Sequence, residues 1–443
     1  MTREADVVVV GGGLAGMAAA VRLAEASRRV TLVESRKRLG GRASSFVDAT
    51  SGDAVDNCQH VAMGCCTEFL DFCQRTHTLQ FFARETELKF RAPETSTYKF
   101  AATFLPAPLH LSWAFARLPF LTLSEKLRFA HGVYSLWKTS PDKLRGIPFD
   151  QWLADHHQPD RVIRRAWELL LVSALSESMD RIDTSYARKV LVDGFISTRH
   201  GWEVYRPLRP LDEIFTHHIA GYLESKGVRL LYGDAVQELE WSEAGITSAK
   251  LSSGQQVSGQ QFVVAVPWHR LGGILGDQLV ERCGLQQLEQ IESAPITSVH
   301  LWTSAPILDS PHLVLVDCLG HWVFEHPAAE DGGEQHCYQV VISASRQLKQ
   351  QSNSETIAAV WKELQQLLPK GAAAELQHAR VVTEHRAVFS PLPGIDELRP
   401  QQQTLIPNLQ IAGDWTQTGW PATMESAVRS GYLAAENILG QGP

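Results

Sequence analysis

The thirty residues from Ala5 to Glu34, ADVVVVGGGLAGMAAAVRLAEASRRVTLVE, leave this chain few folds to choose from. Val7 to Val10 form an all-apolar, β-branched run, the pattern of a strand buried on both faces. Gly11, Gly13 and Gly16 follow at G-x-G-x-x-G spacing. Each glycine answers a separate demand: Gly11 permits the tight turn, Gly13 lets backbone approach a pyrophosphate, and Gly16 lets a helix pack close to the strand. Leu14, Ala18 and Val21 then recur at helical spacing, so Leu14 and Ala15 open a helix whose free N–H groups face the phosphates. Val30 to Val33 make a second strand. Glu34, eighteen residues beyond Gly16 and followed by Ser35, offers ribose hydroxyls a carboxylate that would repel a 2′-phosphate. The pattern predicts a doubly wound α/β domain holding an adenosine dinucleotide. The alternative, a glycine-rich loop that binds nothing, sits poorly with strand, helix and acid all in place.

At 443 residues the chain is too long for one simple core and predicts two or three domains. Forty-one basic against 49 acidic residues provide no global positive field, which argues against nucleic acid as a partner. The seven cysteines are odd in number and include no C-x-x-C pair, so neither a disulfide framework nor a metal site is expected. A reducing compartment fits that usage. The apolar run near the N-terminus is the first strand rather than a signal peptide, and the expected location is the cytoplasm.

After Glu34 comes SRKRLGGRASSF, in which Gly40, Gly41 and Arg42 follow a basic cluster. This resembles the G-G-R that amine oxidases and carotenoid desaturases carry beside the pyrophosphate of FAD, which implies a flavin rather than a nicotinamide cofactor. The planar fork of Arg42 suits phosphate oxygens; the alternative is a solvated basic turn. Near the C-terminus, NLQIAGDWTQTGWPATMESAVRSGYLAAENIL reads as a strand from Leu409 to Ala412, ended by Gly413 and Asp414, with a helix from near Met424. Asp414 is positioned to accept a hydrogen bond from a cofactor hydroxyl. The N–H groups at Met424 would face the flavin N1 and C2 carbonyl and stabilise the anionic reduced ring. Small residues Ala427, Gly431 and Ala434 allow close packing on the cofactor or the first helix. By the same resemblance, a strand from Ala235 to Leu239 passes the adenine and the backbone of Val236 contacts it.

Between these ends, AVDNCQHVAMGCCTEF concentrates Asp56, Asn57, Gln59 and His60 in apolar surroundings, either facing one cavity or satisfying a local loop. Residues Phe100 to Ala116 carry no formal charge, yet Pro106 and Pro108 preclude a spanning helix. The stretch that follows sets Phe120, Leu123, Leu127, Val133 and Leu136 among basic residues, which suits a helix on a membrane, a tunnel cover, or an ordinary inward-packing subdomain. Helices are expected from Phe149 to Asp193, a β-meander from Val228 to Pro267 and strands of a second sheet from Ile296 to Ile342. An acidic loop, Glu330 to Glu334, interrupts that sheet, and a helix covers Glu355 to Leu368.

The blocks DNCQHVAMGCCTEF, LPAPLHL, FSPLPGIDELRP and AGDWTQTGWPATMESAVRSGYLAAE narrow the resemblance, within the amine oxidase and phytoene desaturase superfamily, to the hydroxysqualene dehydroxylase family. It implies a Rossmann-like, two-dinucleotide-binding FAD domain built from residues 1–85, 205–270 and 400–443. A discontinuous α+β substrate domain would take residues 86–204 and 271–399, with a helical lid or membrane-facing entrance near 100–137. The implied reaction replaces the hydroxyl of hydroxysqualene by hydride to give squalene, a step of hopanoid synthesis. The substrate is an isoprenoid lipid, the electron donor is unidentified, and peripheral contact with the inner membrane is an open alternative. A general acid must protonate the departing hydroxyl; His60 is the first choice and Asp56 the second. The rings of Trp113 or Trp202 would stabilise an allylic cation. Cys58 stands where the family's D-N-G-Q-H has glycine, which puts the local turn in question. A carotenoid-type desaturase and a non-catalytic isoprenoid escort share the fold.

Overall fold

The computed structural model describes residues 5–326 and 336–440; the acidic loop Glu330 to Glu334 lies outside them. Strand β1 (Ala5–Val10), helix α1 (Leu14–Glu25) and strand β2 (Val30–Glu34) form the opening unit. Val7 to Val10 are all buried, as a strand covered on both faces requires. Around β1 five strands run parallel, in the order Arg229–Tyr232, β2, β1, Gln256–Val264 and Leu409–Ile411. Val10 sits in register with Val33 and Val264, and Val264 with Ile411. Their carboxyl ends therefore line one edge, where Gly11, Glu34, Ala265 and Ala412 leave the sheet. In open parallel sheets that edge receives the ligand.

The segment 228–267 departs from a simple meander. Arg229–Tyr232 pairs parallel with β2 at the sheet's far edge, and only Val236–Ser242, Gly245–Leu251 and the first half of Gln256–Val264 form the antiparallel meander. The alternating apolar pattern reports burial of these strands without reporting their neighbours. The helix Met424–Leu439 packs along α1, and Gly431 makes the close approach, since a Cβ there would stand 2.1 Å from the Ala15 carbonyl oxygen.

A second seven-stranded sheet has the order Leu376–Phe389, Ser293–Thr303, His336–Ile342, Trp322–Glu325, His312–Leu315, Glu87–Arg91, Tyr98–Ala101. Its longest member, Leu376–Phe389, has no clear alternation and is mostly half-buried, so its sequence carries little strand signal. Helical segments from Leu109 to Ile196 pack at the end of this sheet formed by Glu87–Arg91 and Tyr98–Ala101, where Phe120 meets Phe90 at 6.3 Å, around a cluster in which Phe149 stacks on Trp152 at 5.4 Å and Trp167 Nε1 donates to Gln158 Oε1 at 2.9 Å.

The helix Leu123–Lys138 starts at a reciprocal cap: Thr122 Oγ1 accepts from the Glu125 N–H, and the Glu125 carboxylate accepts from the Thr122 N–H. Phe129, Gly132 and Leu136 face inward, as does Phe120, whereas Leu123 and Leu127 stand at the surface. Trp113 is 60% exposed and lies under the Arg117 guanidinium at 5.6 Å. An exposed ring cannot stabilise a cation in a dry tunnel, so only Trp202, 1% exposed, keeps that expectation. Among the described residues no helix is long and apolar enough to cross a membrane.

Candidate functional site

The turn between β1 and α1 gives each glycine a physical reason. Gly11 has φ +102°, and a Cβ there would lie 2.5 Å from the Ala265 carbonyl oxygen. At Gly16 a Cβ would lie 1.9 Å from the Gly11 oxygen. Gly13 differs from both. Its φ of −73° suits any residue, and a Cβ would meet nothing within 4 Å. Neither backbone nor packing requires glycine at Gly13, so the space in front of it, at the N-terminus of α1, fits a pyrophosphate. Leu14 and Ala15 are buried in the helix's first turn.

Glu34 is buried at the end of β2, and its carboxylate accepts the Gly12 N–H at 2.7 Å, the Arg36 N–H at 2.8 Å and the Ser35 hydroxyl at 3.1 Å. These bonds fix the acid at the lip of the glycine turn, where a ribose would sit. Gly233 and Asp234 donate their N–H groups to the Arg36 and Glu34 carbonyls, which brings the chain just before Val236 to the same place. Gly40 donates to the Gly12 carbonyl at 2.9 Å, and Gly41, at φ +65°, would set a Cβ 3.2 Å from the Gly13 Cα. The second glycine pair thus closes over the first.

Arg42 spans the two ends of the chain. Its Nη2 reaches Asp414 Oδ1 at 2.6 Å and its Nη1 donates to the Ala387 carbonyl at 2.6 Å. Burial opposes the charge on Arg42, but Asp414 outweighs it and holds the guanidinium protonated. Gly413 donates its N–H to Ser430 Oγ at 2.8 Å, and Ser426 Oγ donates to the Asp414 carbonyl at 3.0 Å. The loop bearing Asp414 is therefore tied to the helix that starts at half-buried Met424.

The polar block near residue 60 divides in two. Asp56 is buried, and its carboxylate accepts from Ser45 Oγ at 2.6 Å and from the Leu211 N–H at 2.9 Å; burial pushes its pKa up. His60 Nδ1 bonds the Cys58 carbonyl at 2.7 Å. A carbonyl only accepts, so Nδ1 carries the proton and Nε2 is left for chemistry. Burial lowers the His60 pKa, the Cys58 bond and the Asp56 charge oppose that, and Arg42 adds to it. Asn57 turns back to Ser44, donating from Nδ2 to Oγ at 3.1 Å, so the side chains of Asp56 and Asn57 both bond the adjoining loops, while Asp56 stays near enough to His60 for their charges to interact. Cys58 has no left-handed backbone, so its turn does not need the family's glycine.

Three supports were not legible beforehand. Arg399, 1% exposed at its side chain, donates to the backbone carbonyls of Asp414, Trp415 and Thr416 and so props the loop that carries Asp414. Glu425, in the first turn of the last helix, accepts the Glu68 and Phe69 N–H groups at 3.1 and 2.8 Å, and burial raises its pKa to about 6. Glu177 accepts from Arg346 Nη2 and Ser390 Oγ, each at 2.6 Å. Arg399 lies within the FSPLPGIDELRP block and Glu425 within AGDWTQTGWPATMESAVRSGYLAAE, so for both the one signal was the resemblance of their blocks; Glu177 had none.

A family model described as flavin containing amine oxidoreductase matches residues 14–439. The 15-cis-phytoene desaturase of Narcissus pseudonarcissus is 27% identical over 469 residues, covering 98% of this chain and 79% of the relative. The hydroxysqualene dehydroxylase of Sinorhizobium fredii is 26% identical over 446 residues, covering 98% and 99%. The solved cyclohexylamine oxidase of Brevibacterium oxydans shares the fold, with a TM-score of 0.73 at 17% identity over 99% of both chains. With a family match running from Leu14 in the glycine turn to Leu439 at the end of the last helix, the chain belongs to the flavin containing amine oxidoreductase family and is an FAD-dependent oxidoreductase.

Proposed function

We propose that the chain catalyses reductive dehydroxylation of hydroxysqualene to squalene. The observation that carries this reading is the end-to-end alignment with hydroxysqualene dehydroxylase, which takes in 99% of that relative, against 79% of the plant desaturase. The glycine turn, Glu34, Arg42 and Asp414 would hold FAD, with Val236 beside the adenine and the Met424 end of the last helix beside the flavin ring. Bound and reduced, FAD supplies the two electrons and the hydrogen that the new C–H bond requires.

The chain's own task is the leaving group. The C–O bond is allylic, and it breaks readily once the hydroxyl carries a second proton and departs as water. His60 Nε2 is the atom assigned to deliver that proton, because Nδ1 is held by Cys58. Asp56 favours the charged imidazole through space, while its carboxylate is occupied by Ser45 and Leu211. A lowered His60 pKa leaves the ring mostly neutral at pH 7, and acid is needed to load it.

The decisive experiment is anaerobic incubation of chemically reduced enzyme with hydroxysqualene, followed by product analysis. Squalene formation is expected. His60→Ala should retain FAD but slow single-turnover reduction of substrate by about 10²-fold. In the parent enzyme the rate should climb as pH falls and level off below the His60 pKa, which lies under its ordinary 6.5; the variant should lose that limb. Dehydrogenation of phytoene by oxidised enzyme, with no squalene formed, would replace this reading by a desaturase.

A further inference from the structure

Seven of the eleven large apolar side chains exposed among the described residues lie between Phe104 and Trp137. Four of them, Leu123, Leu127, Tyr134 and Trp137, belong to the helix Leu123–Lys138. At about 100° per residue these four fall within roughly 40° either side of one line along that helix, and the buried Phe129, Gly132 and Leu136 occupy the opposite side. The helix is thus apolar twice over: one stripe faces the core and the other faces out. By the same projection Lys126 flanks the outer stripe on one side and His131 and Lys138 on the other. Lys138 Nζ lies 4.7 Å from the Trp137 ring centre and 5.8 Å from that of Tyr134.

The loop before the helix extends this surface. Phe104 is 86% exposed, yet its backbone is pinned: Arg199 donates to the Phe104 carbonyl at 2.8 Å and to that of Thr103 at 2.9 Å. Trp113 stands out beside Arg117, and Lys126 Nζ ties the short helix Ser112–Ala116 to the long one through the Ala116 carbonyl at 2.8 Å. Rigidly presented aromatic and leucine side chains bordered by cations are the chemistry of a helix seated in a lipid headgroup layer.

We propose that this face, from Phe104 to Lys138, docks the protein on an anionic phospholipid bilayer. Charge selects that occupant. The segment carries four basic residues against Glu125 alone, whereas the rest of the chain carries 37 basic against 48 acidic. An anionic surface attracts this face and repels the remainder, which fixes orientation as well as affinity. A second copy of the chain fits less well, because a two-fold contact would set the same cations against one another.

None of these side chains belongs to the dinucleotide cradle, so docking and the dehydroxylase reading fail separately. The test is flotation of the FAD-loaded protein with vesicles of phosphatidylglycerol and phosphatidylcholine in equal parts, and with phosphatidylcholine alone. Binding should favour the anionic vesicles and weaken with salt. A variant carrying Leu123→Ser, Leu127→Ser and Trp137→Ser should partition at least about tenfold less, with flavin content and turnover of detergent-presented substrate unchanged. Lys126→Glu with Lys138→Glu should remove the preference for anionic vesicles. Unaltered partition of the triple variant would overturn the proposal. So would a parent dimer in sedimentation velocity that the triple variant splits, with no vesicle binding by either.

Discussion

Gly13 and Gly16 stand three residues apart in one motif, and the structure predicts opposite consequences for changing them. A side chain at Gly13 meets open space on an ordinary backbone, so Gly13→Val should fold and melt like the flavin-free parent, yet purify colourless because the branched side chain takes the pyrophosphate's place. At Gly16 a Cβ would press on the Gly11 oxygen, so Gly16→Val should destabilise even the flavin-free protein, by several kcal/mol. The visible absorbance of bound flavin and thermal unfolding of both variants check this, and full flavin content in Gly13→Val would remove the pyrophosphate from this turn. The packing role of Gly16 could be read from sequence because the oxygen its Cβ would meet, that of Gly11, lies five residues away, whereas the carbonyl that crowds Gly11, that of Ala265, comes from far along the chain. The pairing of Asp56 could not: its partners, Ser45 and Leu211, lie 11 and 155 residues distant, and no local pattern announces a carboxylate that braces two loops.

At the scale of elements, the contact between α1 and Met424–Leu439 decides where the last helix points its N-terminus. Gly431 sets their separation, with Ala15, Ala18 and Ala19 facing it within 3.0 Å of a would-be Cβ. Gly431→Ala should push the helices apart, cost about 1–3 kcal/mol by overpacking, and weaken flavin retention by moving the loop that Ser430 and Ser426 hold. Gly221→Ala is the matching control. It lies in the helix Ala220–Ser225, where a Cβ meets nothing within 4 Å, so the substitution should stabilise the protein slightly. Equal melting temperatures for the two variants would dismiss the close contact as the determinant. The small residues at 427, 431 and 434 made this packing legible in sequence. The edge position of Arg229–Tyr232 and the long strand Leu376–Phe389 were not, because strand order follows from contacts far along the chain and a strand partly exposed on both faces has no buried face to impose a two-residue alternation.

Across the whole molecule, one buried polar clamp joins the helical cover to the second sheet. Glu177 follows the helix Glu168–Leu175; Arg346 reaches it from beyond the strand His336–Ile342 and also donates to the Ser293 carbonyl at 2.8 Å, while Ser390 closes the group from the end of Leu376–Phe389. Burial pushes the Glu177 pKa up, but the bonds from Arg346 and Ser390 outweigh it, so the folded carboxyl titrates below its ordinary 4.5. A depressed carboxyl pKa stabilises the folded state fully above about 4.5, and that contribution is lost as pH falls through the lower folded value. Glu177→Gln should therefore melt earlier at pH 7, by the about 1.5–3 kcal/mol of a charge-assisted bond. Its deficit should shrink as the pH falls below 4.5, where the parent enzyme protonates the same group. Thermal unfolding of both proteins across that range is the measurement, and a deficit that stays constant with pH would mean that Glu177 acts by shape rather than by charge.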